Sequence, residues 1–147
     1  MKLAIVYTSK TGNTEDLVQF IRDLFLEKRI MAELFRIEDV PVVKLFTFDA
    51  VIIGTYTWGD GEIPVEMLAL YHAFETEEVD HIVTGIIGSG DSFYPQFCGA
   101  VDAFRDMLYV QSRLAATLKI EVAMQVADQE RCSRFVDIIW NKIENGA

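Results

Sequence analysis

An α/β fold built on a parallel sheet covered on both faces is predicted by three observations. Strand-like apolar runs alternate with helical patterns along the whole chain, five of each at most. The first and third runs, 3–7 and 50–54, are almost continuously apolar, as strands buried on both faces are. The chemically distinctive loops follow the carboxyl ends of the first, third and fourth runs, where open parallel sheets bind ligands.

In chain order, residues 2–8 read as a buried strand. Glu15 and Asp16 then sit in a first helical turn, where acids suit the helix dipole, and Leu17, Phe20, Ile21 and Leu24 give one apolar face. Lys28 and Arg29 close that helix, and 31–37 reads as a second strand near an edge. Residues 38–47, with Pro41, form a connector whose helix is the weakest in the pattern. A third strand, 48–55, leads into a loop with two glycines and two acids. Pro64 suits the first turn of the next helix, whose apolar face is Met67, Leu68, Tyr71 and Phe74. The fourth strand, 81–88, contains Gly85, which signals a close backbone approach. A polar loop over 89–97 precedes a helix over 98–110 with Val101, Phe104 and Leu108 on one face. A fifth strand over 117–126 and a last helix over 128–145, with Phe135, Ile138, Ile139 and Ile143 inward, complete the chain.

With 147 residues, half of them hydrophobic, the chain reads as one domain over 1–147 with a sizeable core. No apolar run is long enough for a membrane span, and the start does not read as a signal peptide, so the cytoplasm is expected. A net charge of −10 disfavours nucleic acid and anionic membranes and suits basic partner proteins met by electrostatic steering. Cys98 and Cys132 form no CxxC and no cluster with His72 or His81, so neither a zinc site nor a disulfide framework is expected.

Three loops carry chemistry. Thr8-Ser9-Lys10-Thr11-Gly12-Asn13-Thr14 puts hydroxyls around a helix start, an arrangement that holds a phosphate. It lacks both GxxxxGK[ST] and GxGxxG, which disfavours a nucleoside triphosphate or a dinucleotide and suits a phosphate monoester. The bland alternative is a Ser/Thr-rich helix cap. The second loop, Gly54-Thr55-Tyr56-Thr57-Trp58-Gly59-Asp60-Gly61-Glu62, offers an indole for stacking on a flat ligand; its alternative role is an aromatic lid on the sheet end. The third, Ser89-Gly90-Asp91 through Tyr94 to Phe97 and Cys98, adds a second aromatic and an acid. Together they describe a slot for a flat, phosphorylated cofactor.

Over essentially its whole length the chain resembles the short-chain flavodoxins. Residues 8–14 look like their phosphate loop, 57–61 like their first flavin-stacking loop, and 88–94 with 97–102 like their second. The resemblance implies a doubly wound, three-layer sandwich with a five-stranded sheet of order 2-1-3-4-5 and one bound FMN. Carried over by position, Ser9, Thr11, Asn13 and Thr14 hold the phosphate, with the amides of Lys10 and Gly12. Trp58 covers the inner ring face and Tyr94 the outer. Gly59 supplies a carbonyl that turns toward flavin N5, and Asp91 and the Cys98 amide meet the pyrimidine edge. The implied function is a low-potential one-electron carrier with a neutral semiquinone, not an enzyme. Its implied partners are a flavin reductase as donor and acceptor oxidoreductases, docking at the acidic FMN edge of a monomer. Lys10, Tyr56 and Val18 depart from the usual family pattern. A regulatory FMN-binding module and a quinone reductase are the competing functions. A receiver domain of the same fold is not, because Tyr7-Thr8-Ser9 and Gly54-Thr55 lack its acids.

Overall fold

The computed structural model describes residues 1–92 and 96–146. Five strands, β1 (Leu3–Tyr7), β2 (Ala32–Arg36), β3 (Ala50–Tyr56), β4 (Val83–Gly90) and β5 (Arg113–Glu121), form one sheet of order β2-β1-β3-β4-β5. Every pairing is parallel. The helices are α1 (Asn13–Glu27), α2 (Val42–Leu45), α3 (Leu68–Thr76), α4 (Gly99–Gln111) and α5 (Gln129–Glu144).

Side chains alternate across the sheet and divide the core in two. Leu3, Ile5 and Ile52 face α1 and α5, where Leu17, Ile21, Phe135 and Ile139 meet them. Ala4, Val6, Val51 and Ile53 face the other way, against Leu70, Phe74, Phe104 and Leu108 of α3 and α4. The predicted three-layer architecture and strand order are both present. Gly85 is where α5 lies closest: a Cβ there would sit 2.7 Å from Ile139 Cδ1 and 2.8 Å from Phe135 Cζ. Val18 is fully buried, and its Cγ1 would stand 2.7 Å from a Cβ at Gly54, so α1 lies equally tight on β3.

Several boundaries differ from the sequence reading. The second crossover holds only a four-residue helix, α2. β4 runs on to Gly90, so Ser89 and Gly90 belong to the sheet and not to the loop after it. β5 begins at Arg113 and ends at Glu121, several residues earlier than 117–126. Its first half is Ala-rich and lacks strand periodicity; pairing with β4, across an irregularity at Thr84/Gly85, makes it a strand. Leu68 is 37% exposed and Leu70 is buried in its place, because a 3-10 turn over Val65–Met67 resets the helical phase before α3. On α5, Ile138 points outward at 49% exposure, and Cys132, Phe135, Val136 and Ile139 carry the inner face. His72 and His81 are both exposed. Among the described residues, no helix is long and apolar enough to cross a membrane.

Candidate functional site

The turn between β1 and α1 is closed from within. Gly12, at φ 95°, begins α1 and has no side chain to cap it. Ser9 Oγ does that work, accepting from the amides of Gly12 and Glu15 at 3.2 Å each. The amides of Asn13 and Thr14 have no carbonyl one helical turn behind them, which leaves an anion-favouring helix start at the sheet's carboxyl edge. Two clasps fix the turn from outside. The buried Thr8 hydroxyl donates to Glu66 Oε2 at 2.7 Å, and Tyr56 OH donates to the same oxygen at 2.8 Å. Arg36, at the end of β2, reaches the Ser9 carbonyl at 3.5 Å and Glu15 at 3.0 Å, and Tyr7 OH donates to Glu15 at 2.7 Å.

Both clasps leave an electrostatic mark. Partial burial raises the Glu66 carboxyl. The hydroxyl of Thr8, a backbone hydrogen bond, Tyr56 and the charge of Lys10 outweigh that, and the group lies below its ordinary value. Burial, then the Glu66 hydrogen bond and charge, push the Tyr56 phenol up to about 12. Burial and Glu15 likewise raise the Tyr7 phenol.

The turn after β3 is a tight hairpin. Trp58 and Glu62 exchange both backbone hydrogen bonds, at 2.8 and 2.7 Å, around Gly59 at φ 52° and Gly61 at φ 92°. The hairpin holds the Trp58 indole half exposed, at 49%. Lys10 Nζ sits 3.8 Å from the indole ring centroid, a cation–π contact worth about 0.5–1 kcal/mol at an exposed site. The next loop is pressed against this hairpin through two glycines: a Cβ on Gly99 would lie 2.5 Å from Gly61 Cα. Thr57 Oγ1 reinforces the joint by accepting from the Ala100 amide, at the start of α4, at 3.2 Å.

Cys98 begins α4 at φ 52° and is buried beside Gly90. Burial pushes its thiol up to about 11, so it stays protonated at neutral pH. Val122, a β-branched residue at φ 57°, follows β5 in a conformation such residues rarely adopt, and its amide donates to the Gly90 carbonyl at 2.6 Å. Ser92 Oγ bonds Glu121 Oε1 in the same corner.

These loops enclose one crevice of about 630 Å³, within the range of small-molecule sites. Lys10, Thr11 and Asn13 line it from the first turn, and Tyr56, Thr57, Trp58, Gly59 and Asp60 from the second. Ser89, Gly90, Asp91 and Cys98 line it from the third side. Thr8, Ser9, Gly12 and Thr14 stand behind this wall: Thr8 and Ser9 are committed as above, and Thr14 Oγ1 meets Ser89 Oγ at 3.1 Å. Gly61 and Phe97 do not line the crevice; Phe97 packs against the core under α3 and α4. Tyr94 lies outside the described residues. Three lining residues are not among the cofactor-binding residues read from the sequence: Glu62, Gln96 and Val122. Glu62 and Gln96 both lie within the loops that the sequence marks, Glu62 as one of the acids beside the ring and Gln96 by position alone. Val122 carries no signal, because it falls in the middle of the strand that the sequence predicts over 117–126.

The chain matches the family model described as Flavodoxin over residues 5–135. It belongs to the flavodoxin family. It is 40% identical over 139 residues to a protein named probable flavodoxin 1 from Bacillus subtilis (strain 168), covering 91% of this chain and 87% of that one. It superposes on the crystal structure of oxidised Flavodoxin 1 from Bacillus cereus with a TM-score of 0.87 at 31% identity, covering 96% of this chain and 98% of the other. It is also 30% identical over 152 residues to the sulfite reductase (NADPH) flavoprotein alpha-component of Vibrio cholerae serotype O1, matching 99% of this chain but 25% of that larger one. As a flavodoxin, the chain is an FMN-binding, low-potential electron-transfer protein, an electron carrier and not an enzyme. The crevice fits that cofactor by the chemistry of its walls. A helix start whose Asn13 and Thr14 amides have no helical carbonyl behind them suits an anion at one end, and a half-exposed indole suits a flat ring at the other.

Proposed function

We propose that this crevice holds the FMN and that the protein passes single electrons through it between reductases and acceptor oxidoreductases. The observation that carries this reading is the convergence of the turns after β1, β3 and β4 on one crevice. In this reading the amides at the start of α1, with Thr11 and Asn13, take the phosphate, and Ser9 and Thr14 shape the turn behind them. Trp58 stacks on the inner face of the ring, and Tyr94 covers the outer. The Cys98 amide and Asp91 meet the pyrimidine edge. Gly59 allows its carbonyl to turn toward the ring, since glycine takes both hands of backbone conformation at little cost. FMN supplies the electron chemistry; the chain supplies binding, orientation and an acidic, water-excluding surround.

Partners meet the acidic edge formed by Asp60, Glu62 and Asp91. The match to part of a larger flavoprotein supports docking or fusion to other redox modules as the way such a domain is used. The protein works as a monomer in the cytoplasm. Anaerobic redox titration followed by absorbance tests the reading. About one FMN per chain and two one-electron steps, the second at low potential, are expected. Colourless protein, or flavin reduced in a single two-electron step, refutes it.

A further inference from the structure

Four charged side chains line the crevice among the described residues: Lys10, Asp60, Glu62 and Asp91. Lys10 is the only basic one. It belongs to the phosphate turn, yet its ammonium lies against the ring wall, 3.8 Å from the Trp58 centroid. Its charge is also felt at Glu66, the carboxylate that clasps Thr8 and Tyr56. One cation thus joins two loops that are far apart in the chain.

We propose that Lys10 is a positioning residue of the flavin crevice that acts through Trp58, holding the indole in its stacking pose and setting the charge felt by a ring stacked on it. The proposal rests on the FMN site described above. Lys10 and Trp58 line the same crevice in mutual contact, so the ammonium belongs to the surroundings of any ring stacked on Trp58. Full reduction, with electrons from an external donor, leaves that ring more negative. Asp60, Glu62 and Asp91 oppose the added charge and Lys10 favours it. In a crevice partly closed to water such terms exceed their value in bulk solvent. A phosphate held by backbone amides and neutral hydroxyls leaves the ammonium free for this role.

Lys10→Met keeps an unbranched side chain one atom shorter and removes its charge; Lys10→Arg keeps the charge and stacks. Lys10 is exposed, so both variants are expected to fold. In FMN-loaded protein, Lys10→Met is expected to lower the second reduction step by about tenfold in its equilibrium constant, near 59 mV for one electron. The first step moves less, and Lys10→Arg restores the second. In apoprotein carrying Trp140→Phe, which leaves Trp58 as the sole indole, Lys10→Met is expected to change the Trp58 emission and Lys10→Arg to preserve it. Unchanged emission together with unchanged potentials overturns the proposal. So does a loss of FMN affinity with riboflavin affinity and the second step unaltered, which assigns Lys10 to the phosphate. Wild-type protein that retains no FMN sinks the site itself, and the emission arm still decides whether Lys10 holds Trp58.

Discussion

Glu66 lies outside the three motif loops and still governs one of them. Its carboxylate accepts hydrogen bonds from the Thr8 and Tyr56 hydroxyls, so neither hydroxyl can donate to an anion in the crevice while the clasp is closed. Glu66→Ala is expected to destabilise the fold by about 1.5–3 kcal/mol at neutral pH, the range for hydrogen bonds to a charged group. Chemical denaturation reads this directly. The pH dependence follows from the lowered carboxyl. Its contribution is present above the ordinary carboxylate value and is lost as pH falls through the folded-state value. The gap between wild type and Glu66→Ala should therefore close on acidification below about pH 4. At the same scale, Lys10 illustrates what a sequence withholds. The departure from the family pattern was legible; the contact with Trp58 was not, because it depends on where two distant turns meet.

At the scale of elements, the joint between the two ring-bearing turns depends on absent side chains. Gly99→Ala would drive a methyl group to 2.5 Å from Gly61 Cα and 2.7 Å from Gly61 O, and backbone atoms cannot step aside as a side-chain end can. FMN affinity should fall at least tenfold, measured by flavin fluorescence on titrating apoprotein. Gly12→Ala meets nothing within 4 Å and should show only the strain of its positive φ, about 1 kcal/mol. On α5, Ile139→Ala should cost about 2–5 kcal/mol and the exposed Ile138→Ala under about 1, both by thermal or denaturant unfolding. Phe135 and Ile139 were legible as an inward pair. Ile138 was misplaced because three consecutive large apolar residues, Ile138-Ile139-Trp140, blur the phase of the helix. The start of β5 was illegible for another reason: Ala115 and Ala116 have no strand preference of their own, and the neighbouring β4 imposes it.

For the molecule as a whole, the net charge of −10 acts at a distance. Electron exchange with a small cationic redox complex should be faster than with an anionic one of equal driving force. The ratio should shrink as ionic strength rises from about 0.01 to 1 M and the screening length falls from about 30 to 3 Å. Stopped-flow rates with the two probes check it; a ratio indifferent to salt argues against steering. The strand order and the converging loops were readable because alternation, buried strands and the carboxyl-edge rule all agree. The clasps behind the first turn were not, since nothing in the spacing of Glu66 or Arg36 ties either residue to that turn. Arg36 has one more effect. It sits on β2, an outermost strand paired on one side only, and grips the Ser9 carbonyl and Glu15. Edge strands fray more readily than inner ones. Each brief detachment of β2 therefore slackens the anchoring turn, and whatever occupies that turn slows the detachment in return. Amide exchange along β2, at the margin of the sheet, becomes a gauge of occupancy at its middle.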